Sequence, residues 1–388
     1  MRRLYNTFLA VGRVRSTSCL AFCLTARLLP RSQAERIRIA QRRFQLSKII
    51  YIYILKGGDG GVSILVVGSV ALDTVETPFT KVEETLGGAA SYFTTAASLY
   101  NQVNLVAIVG SDFPREHLDF WRNRPVNLVG LQIKEGRTFR WKARYHMDMN
   151  ARDTLDTQLG VYAGFHPIIP DKYRSSKLLF LANIQPELQM EVLEQVSNAN
   201  LTVLDTMELW IMTTRPQLTE VIKRVDVLLM SEEEIRQYTN RLSIVAGVRQ
   251  LLDMGLQYVV VKQGSYGALL FGADGTFFSA PTYPLEEVID PTGAGDAFAG
   301  GLLGYLSKVE PQQDGHYAID EIKCGVVHGN IIGSYVCEDF SIDRLRTLTM
   351  DDVATRYRRL VEYSHFDPQL ALQASMNYLN YQRNACEK

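Results

Sequence analysis

The sequence predicts an α/β fold built on a mostly parallel sheet, and three observations carry that expectation. Short, continuous apolar runs recur along the chain, at Ser63–Gly68, Asn104–Gly110, Lys177–Ala182, Leu201–Asp205, Val225–Met230 and Tyr258–Val261. Such runs are the profile of strands buried on both faces of a parallel sheet. Helical patterns such as Pro186–Ser197 separate them, which gives the β-α-β rhythm. Polar residues, Asp73 among them, follow the strands at the ends where open α/β sheets bind ligands.

The 388 residues, 46% hydrophobic and 21% charged, are those of a globular protein with room for one large domain or two ordinary ones. The net charge of −1 conceals an asymmetry, because residues 1–61 hold 12 Lys and Arg against the two acids Glu35 and Asp59. The basic excess belongs to this extension, so a fold-wide surface for nucleic acid is not supported. Five cysteines form no zinc-like pairs outside Cys19-x3-Cys23, which lacks a second pair or nearby histidines, and we expect reduced thiols in a cytoplasmic protein.

Residues 1–61 are expected to be an N-terminal extension, either disordered or translated from a start set too far upstream. No methionine occurs between Met1 and Met147, and Gly57–Val62 precedes the first strand of the fold. Organelle targeting by residues 1–47, rich in Arg and Ser, is the alternative. The apolar run Ile49–Leu55 is too short to span a bilayer.

Along the body, Ser63–Gly68 opens the sheet and Asp73 follows it, placed either to cap a turn or to meet a ligand. Gly87-Gly88 then leads into a helix through Tyr100; a glycine pair lets a ligand approach the backbone, and is also an ordinary turn. Thr138–Tyr145 alternates polar and aromatic residues like an exposed strand. Arg140, Arg144, Asn150 and Arg152 in this region can reach a polyhydroxy or anionic ligand, or remain solvated. Ser231-x-x-Glu234 has the spacing of a capping box. Tyr258–Phe271 reads as a strand, a turn containing Gly264 and Gly267, and a returning strand.

The most informative stretch is Val288–Leu306, a strand end, a glycine turn and a helix. Phe298, Leu302, Tyr305 and Leu306 form its apolar stripe, and Ala297, Gly300, Gly301 and Gly304 a small one that admits another backbone. Gly293, Ala294 and Gly295 present backbone N–H groups at the positive end of the helix dipole, which favours phosphate or a developing anion. Asp296 stands in the same turn, either complementing the dipole or performing chemistry. A second small-residue helix, Cys324–Ser334, is placed to pack against the glycine stripe.

Asp290-Pro-Thr-Gly-Ala-Gly-Asp296, followed by a small-residue helix, resembles the C-terminal signature of the PfkB (ribokinase-like) sugar and nucleoside kinases. The resemblance spans about residues 63–361. It implies a three-layer α/β/α sandwich over residues 62–362, with a small β-sheet lid drawn from about 70–85 and 130–165 and a tail over 363–388. It implies an ATP- and Mg2+-dependent kinase acting on a hydroxyl of a sugar, or alternatively of a nucleoside. In it Gly293, Ala294 and Gly295 form the anion hole and Asp296 takes the proton. Asp73, Gly87 and Gly88, with Arg144 and Asn150, are expected at the acceptor. Lys262, Gly264, Gly267, Thr292 and Asn330 are expected at the nucleotide, and Glu234 at the magnesium. A monovalent cation such as K+ and a homodimer through the lid are further expectations. Ala89-Ala90-Ser91-Tyr92 stands where such kinases carry an asparagine after the glycine pair, Asp205–Trp210 resembles the segment beneath their phosphate site without its usual asparagine, and Ser231 replaces another. A catalytically silent ligand sensor on the same fold is the alternative from another class.

Overall fold

A computed structural model of the chain describes residues 63–149, 151–196 and 198–365. Within them the elements run β1 (Ile64–Val67), β2 (Ala71–Glu76), β3 (Lys81–Gly87), α1 (Ala89–Ala97), β4 (Val103–Gly110), α2 (Arg115–Arg122), β5 (Val126–Lys134), β6 (Phe139–Tyr145) and β7 (Arg152–Gln158). The chain continues with β8 (Leu178–Leu181), α3 (Pro186–Gln195), β9 (Leu201–Asp205), α4 (Glu208–Thr213), α5 (Arg215–Ile222), β10 (Val227–Ser231), α6 (Glu232–Thr239) and α7 (Ile244–Leu252). It closes with β11 (Tyr258–Lys262), β12 (Ala268–Gly272), β13 (Phe277–Ala280), α8 (Ala294–Leu306), α9 (Ile319–Val336), α10 (Asp343–Thr347) and α11 (Met350–Ser364).

Nine strands form one sheet in the order β13-β12-β11-β10-β9-β8-β1-β4-β5. The pairings from β5 to β11 are parallel, and the β11–β12 and β12–β13 pairings are antiparallel. Alternation along β1 makes the three layers visible. Ile64 and Val66 join a core with Phe93 of α1, Leu302 of α8 and Ile332 of α9. Leu65 and Val67 join a second core with Leu188 of α3, Val221 of α5 and Val248 of α7. Both faces of the central strands are covered, which is why their sequences are apolar throughout.

The glycine stripe of α8 does what small residues allow. A Cβ on Gly300 would lie 2.7 Å from the Ala96 Cβ of α1, and one on Gly301 would lie 2.7 Å from the His328 carbonyl oxygen of α9. The helix is therefore clamped between its neighbours at backbone contact distance, as expected for Cys324–Ser334 packing on the stripe. The helix after the glycine pair ends at Ala97, short of Tyr100, and residues 98–100 complete it as a turn.

A second, four-stranded sheet has the order β3-β2-β6-β7. Its Val75 and Tyr145 pack with Phe340 in a small separate cluster. Residues 1–62 and 366–388 lie outside the described residues, as do the expectations placed on them. No helix among the described residues is long and apolar enough to cross a membrane. Cys324 and Cys337 are free thiols.

Candidate active site

The signature turn is held from below by a fully buried carboxylate. Asp290 Oδ1 accepts from the Thr292 amide at 2.9 Å, and the Thr292 hydroxyl donates to the Tyr145 hydroxyl at 3.1 Å. Thr292, expected at the nucleotide, thus spends both donors inside the protein and ties the small sheet to the turn. Gly293 follows as the N-cap of α8 with φ 75°, a left-handed conformation that costs a residue with a side chain. A Cβ there would also strike the Tyr92 ring, 2.3 Å from three of its carbons.

The helix start leaves donors open. The Ala294 N–H closes a turn onto the Pro291 carbonyl at 3.2 Å, and the Gly293 and Gly295 N–H groups have no acceptor among the described residues. Asp296 follows in the first turn of α8. Burial raises its pKa to about 7; the Asp205 charge adds to that, while Lys262 and Arg152 oppose it.

Lys262 ends β11 and its Nζ lies 2.7 Å from Asp205 Oδ1, at the end of β9. The ammonium is desolvated, yet Asp205 and Glu234 together hold its pKa above the usual lysine value. It also lies beside Gly295, 3.3 Å from where a Cβ would stand. Asp205 is the residue that sequence reasoning missed in this group. Its signal was its place, an acid at the C-terminal end of a central strand. Glu234 serves the local role first: its Oε2 accepts from the Ser231 amide at 2.7 Å, and the Ser231 hydroxyl accepts from the Glu234 amide at 3.2 Å. Burial raises its pKa, with Lys262 opposing. The capping box and a place in the charged group coexist.

Beside α8 lies a cleft of about 510 Å³ lined by Arg152, Lys262, Gly264, Gly267, Tyr283, Ala294, Gly295, Asn330 and Gly333. Gly264 and Gly267 flank the turn between β11 and β12 with φ of 56° and 101°. Asn330 donates its amide to the carbonyls of Ala280 and Pro281 at 2.9 and 3.2 Å, so its side chain holds the cleft wall.

On the other side of the turn is Asp73. It is 4% exposed, and its Oδ1 has no hydrogen-bond partner. Burial raises its pKa to about 7; the Gly88 amide opposes this, and Asp290 and Asp296 add to it. Gly87 presses on the carboxylate so closely that a Cβ would sit 1.8 Å from Oδ2. Gly88 caps α1 with φ 87°. Arg144, expected near the acceptor, is instead exposed and paired to Glu76 at 2.9 Å. Asn150 lies outside the described residues.

The site thus joins an acid between two glycine turns, open amides at a helix start, a lysine with two further acids, and an adjoining cleft. Comparison with known proteins gives it a context. Residues 63–320 match the model of the pfkB family carbohydrate kinases. The cytidine kinase of Thermococcus kodakarensis is 32% identical over 256 residues, 65% of this chain and 91% of the relative. Among solved structures, the nucleoside kinase of Methanocaldococcus jannaschii superposes with a TM-score of 0.61 at 22% identity, over 77% of this chain and all of that one. The aminoimidazole riboside kinase of Salmonella enterica, solved with aminoimidazole riboside and an ATP analogue, superposes with a TM-score of 0.58 at 19% identity, over 76% of this chain and 99% of that one. With the signature turn, the three-layer sheet and the family match in agreement, the chain belongs to the pfkB family of carbohydrate kinases, phosphotransferases that act on an alcohol group.

Proposed function

We propose that the chain transfers the γ-phosphoryl group of ATP to a hydroxyl of a sugar, free or as the ribose of a nucleoside, with Asp296 as general base. The observation that carries this reading is the first turn of α8, where a carboxylate raised to about 7 stands beside two amides without acceptors. A base poised near the working pH takes a proton most effectively. Asp296 removes the proton from the acceptor hydroxyl, whose oxygen attacks the γ-phosphorus in line as the bond to the β-phosphate oxygen breaks. The Gly293 and Gly295 amides receive the charge that spreads over the transferring oxygens, while the Ala294 amide, expected to join them, is engaged by the Pro291 carbonyl. Lys262 and Arg152 bring positive charge to the cleft side of the same point.

ATP fits the cleft of about 510 Å³ at Gly264 and Gly267. Asp205 and Glu234, whose charges both reach Lys262, are the residues that would hold a magnesium ion carried in with the nucleotide. Such an ion neutralises phosphate charge. Asp290 Oδ2, buried and without a partner, fits a monovalent cation such as K+ under the turn.

Asp296→Asn tests the reading. Turnover is expected to fall about a hundredfold to ten-thousandfold, while the melting temperature stays close to that of the wild type. Near-normal turnover would sink the assignment.

A further inference from the structure

One wall of the cleft is a loop with no ladder to hold it. Residues 281–287, between β13 and the signature turn, form neither helix nor strand, and Thr282, Tyr283, Pro284 and Leu285 line the cleft. Asn330 fixes the start of the loop through the Ala280 and Pro281 carbonyls. The Tyr283 side chain is fixed from α11 instead. The Arg356 guanidinium lies over the Tyr283 ring, 4.4 Å from its centre, and over the Tyr335 ring of α9, 3.4 Å from its centre. Arg359, also on α11, donates to the Tyr283 hydroxyl at 3.5 Å.

Stability alone does not account for an arginine in this place. Arg356 is 9% exposed; Glu338 answers its charge, and the Ser334 hydroxyl accepts from it at 2.9 Å. Apolar side chains of similar size often replace a buried ion pair without loss, so the pair is weak evidence of a stabilising role. α11 already docks through Val353 and Leu360, which belong to the main core. What an aliphatic side chain cannot supply is a flat cation, whose plane holds an aromatic ring at a set distance. The lining of the cleft also divides by chemistry. Lys262, Arg152 and the helix start at Gly295 suit the charged phosphates of a nucleotide, whereas Tyr283, Leu285, Val288 and Phe298 carry no charge and suit a flat base.

Resting on the kinase reading above, we infer that Arg356 is a positioning residue for the nucleotide: it holds the Tyr283 ring as the wall against which the base packs. The arginine touches Tyr283 and stands behind the lining of the cleft. Its influence is confined to the base, and the phosphates, the acceptor and Asp296 are independent of it.

The test measures ADP release with whichever of cytidine, ribose and fructose the enzyme uses, and adds inorganic tripolyphosphate as a competitor that has no base. Arg356→Lys keeps the charge and loses the flat surface. It is expected to raise the KM for ATP about fivefold or more, while kcat, the KM for the acceptor and inhibition by tripolyphosphate change less than about twofold. Arg344→Lys is the control, because Arg344 shares Glu338 with Arg356 and lies over the same Tyr335 ring at 4.9 Å. Its KM for ATP should stay within about twofold of the wild type. Adding Arg356→Lys to Tyr283→Leu should raise that KM little further, since the arginine acts through the ring. An unchanged KM for ATP in Arg356→Lys overturns the inference and leaves the kinase reading standing. So does a matching loss of tripolyphosphate inhibition, an equal effect of Arg344→Lys, or additive effects in the double variant. Should Arg356→Lys not fold, Glu338→Gln, which loosens the arginine without removing it, is read by the same criteria. If no acceptor releases ADP, the kinase reading fails, and calorimetric titration of ATP and tripolyphosphate into the same variants decides the inference. Selective weakening of ATP binding upholds it; equal weakening, none, or no binding of ATP by the wild type overturns it.

Discussion

Asp296 can act as a base only after losing its own proton, and burial makes that loss harder than for a free aspartate. Its pKa is pushed up to about 7, with Asp205 contributing and Lys262 and Arg152 opposing. Below that value the carboxyl is protonated and cannot accept the acceptor's proton; above it the carboxylate is ready. Log kcat/KM is therefore expected to rise with pH from about 5, bending to a plateau near 7, in a pH–rate profile with saturating ATP. A profile flat down to pH 5 would contradict the assignment. Asp73 is raised to a similar value, so the acidic limb reports the pair together. The base proposed here was legible as a candidate in the sequence, because a glycine turn beside an acid at a helix start is a local pattern. Its acidity was not, since Asp205 and Lys262 arrive from strands 91 and 34 residues earlier in the chain.

At the scale of elements, the start of α8 depends on Gly293 for two separate reasons, its left-handed φ and its contact with the Tyr92 ring. Gly255 supplies a control, since it has φ 110° and nothing within 4 Å of the place for a Cβ. Gly255→Ala should cost about 1 kcal/mol in chemical denaturation and leave activity intact. Gly293→Ala should cost more than that and lower kcat at least tenfold, because the amides beside Asp296 move with the turn. Equal effects of the two substitutions would show that the ring contact is unimportant. The strands and helices themselves were largely legible, since apolar runs and capping boxes such as Ser231 with Glu234 act over a few residues. Which face each strand shows was not. Arg144 was expected at the acceptor and lies on the far face, because pairing register is set by β2 rather than by β6 itself.

For the whole molecule, the bond between Tyr145 and Thr292 joins the small sheet to the signature turn at the start of α8. Removing it with Tyr145→Phe leaves the Thr292 hydroxyl without its buried partner, a loss of about 1 kcal/mol in unfolding free energy. If the small sheet closes over the acceptor, the same change should raise the KM for the acceptor several-fold and that for ATP little. An equal rise in both would argue that Tyr145 supports only the core. No stretch of sequence announces this bond, which spans 147 residues.

The clamp on α8 has a consequence for how donor and acceptor meet. α1 begins at the glycine pair and carries Tyr92, α9 walls the cleft, and between them α8 carries Asp296. Gly300 and Gly301 set both gaps at the thickness of bare backbone. The two glycines therefore act as a ruler, fixing how far the helix that bears Asp296 stands from each of its neighbours by the absence of side chains.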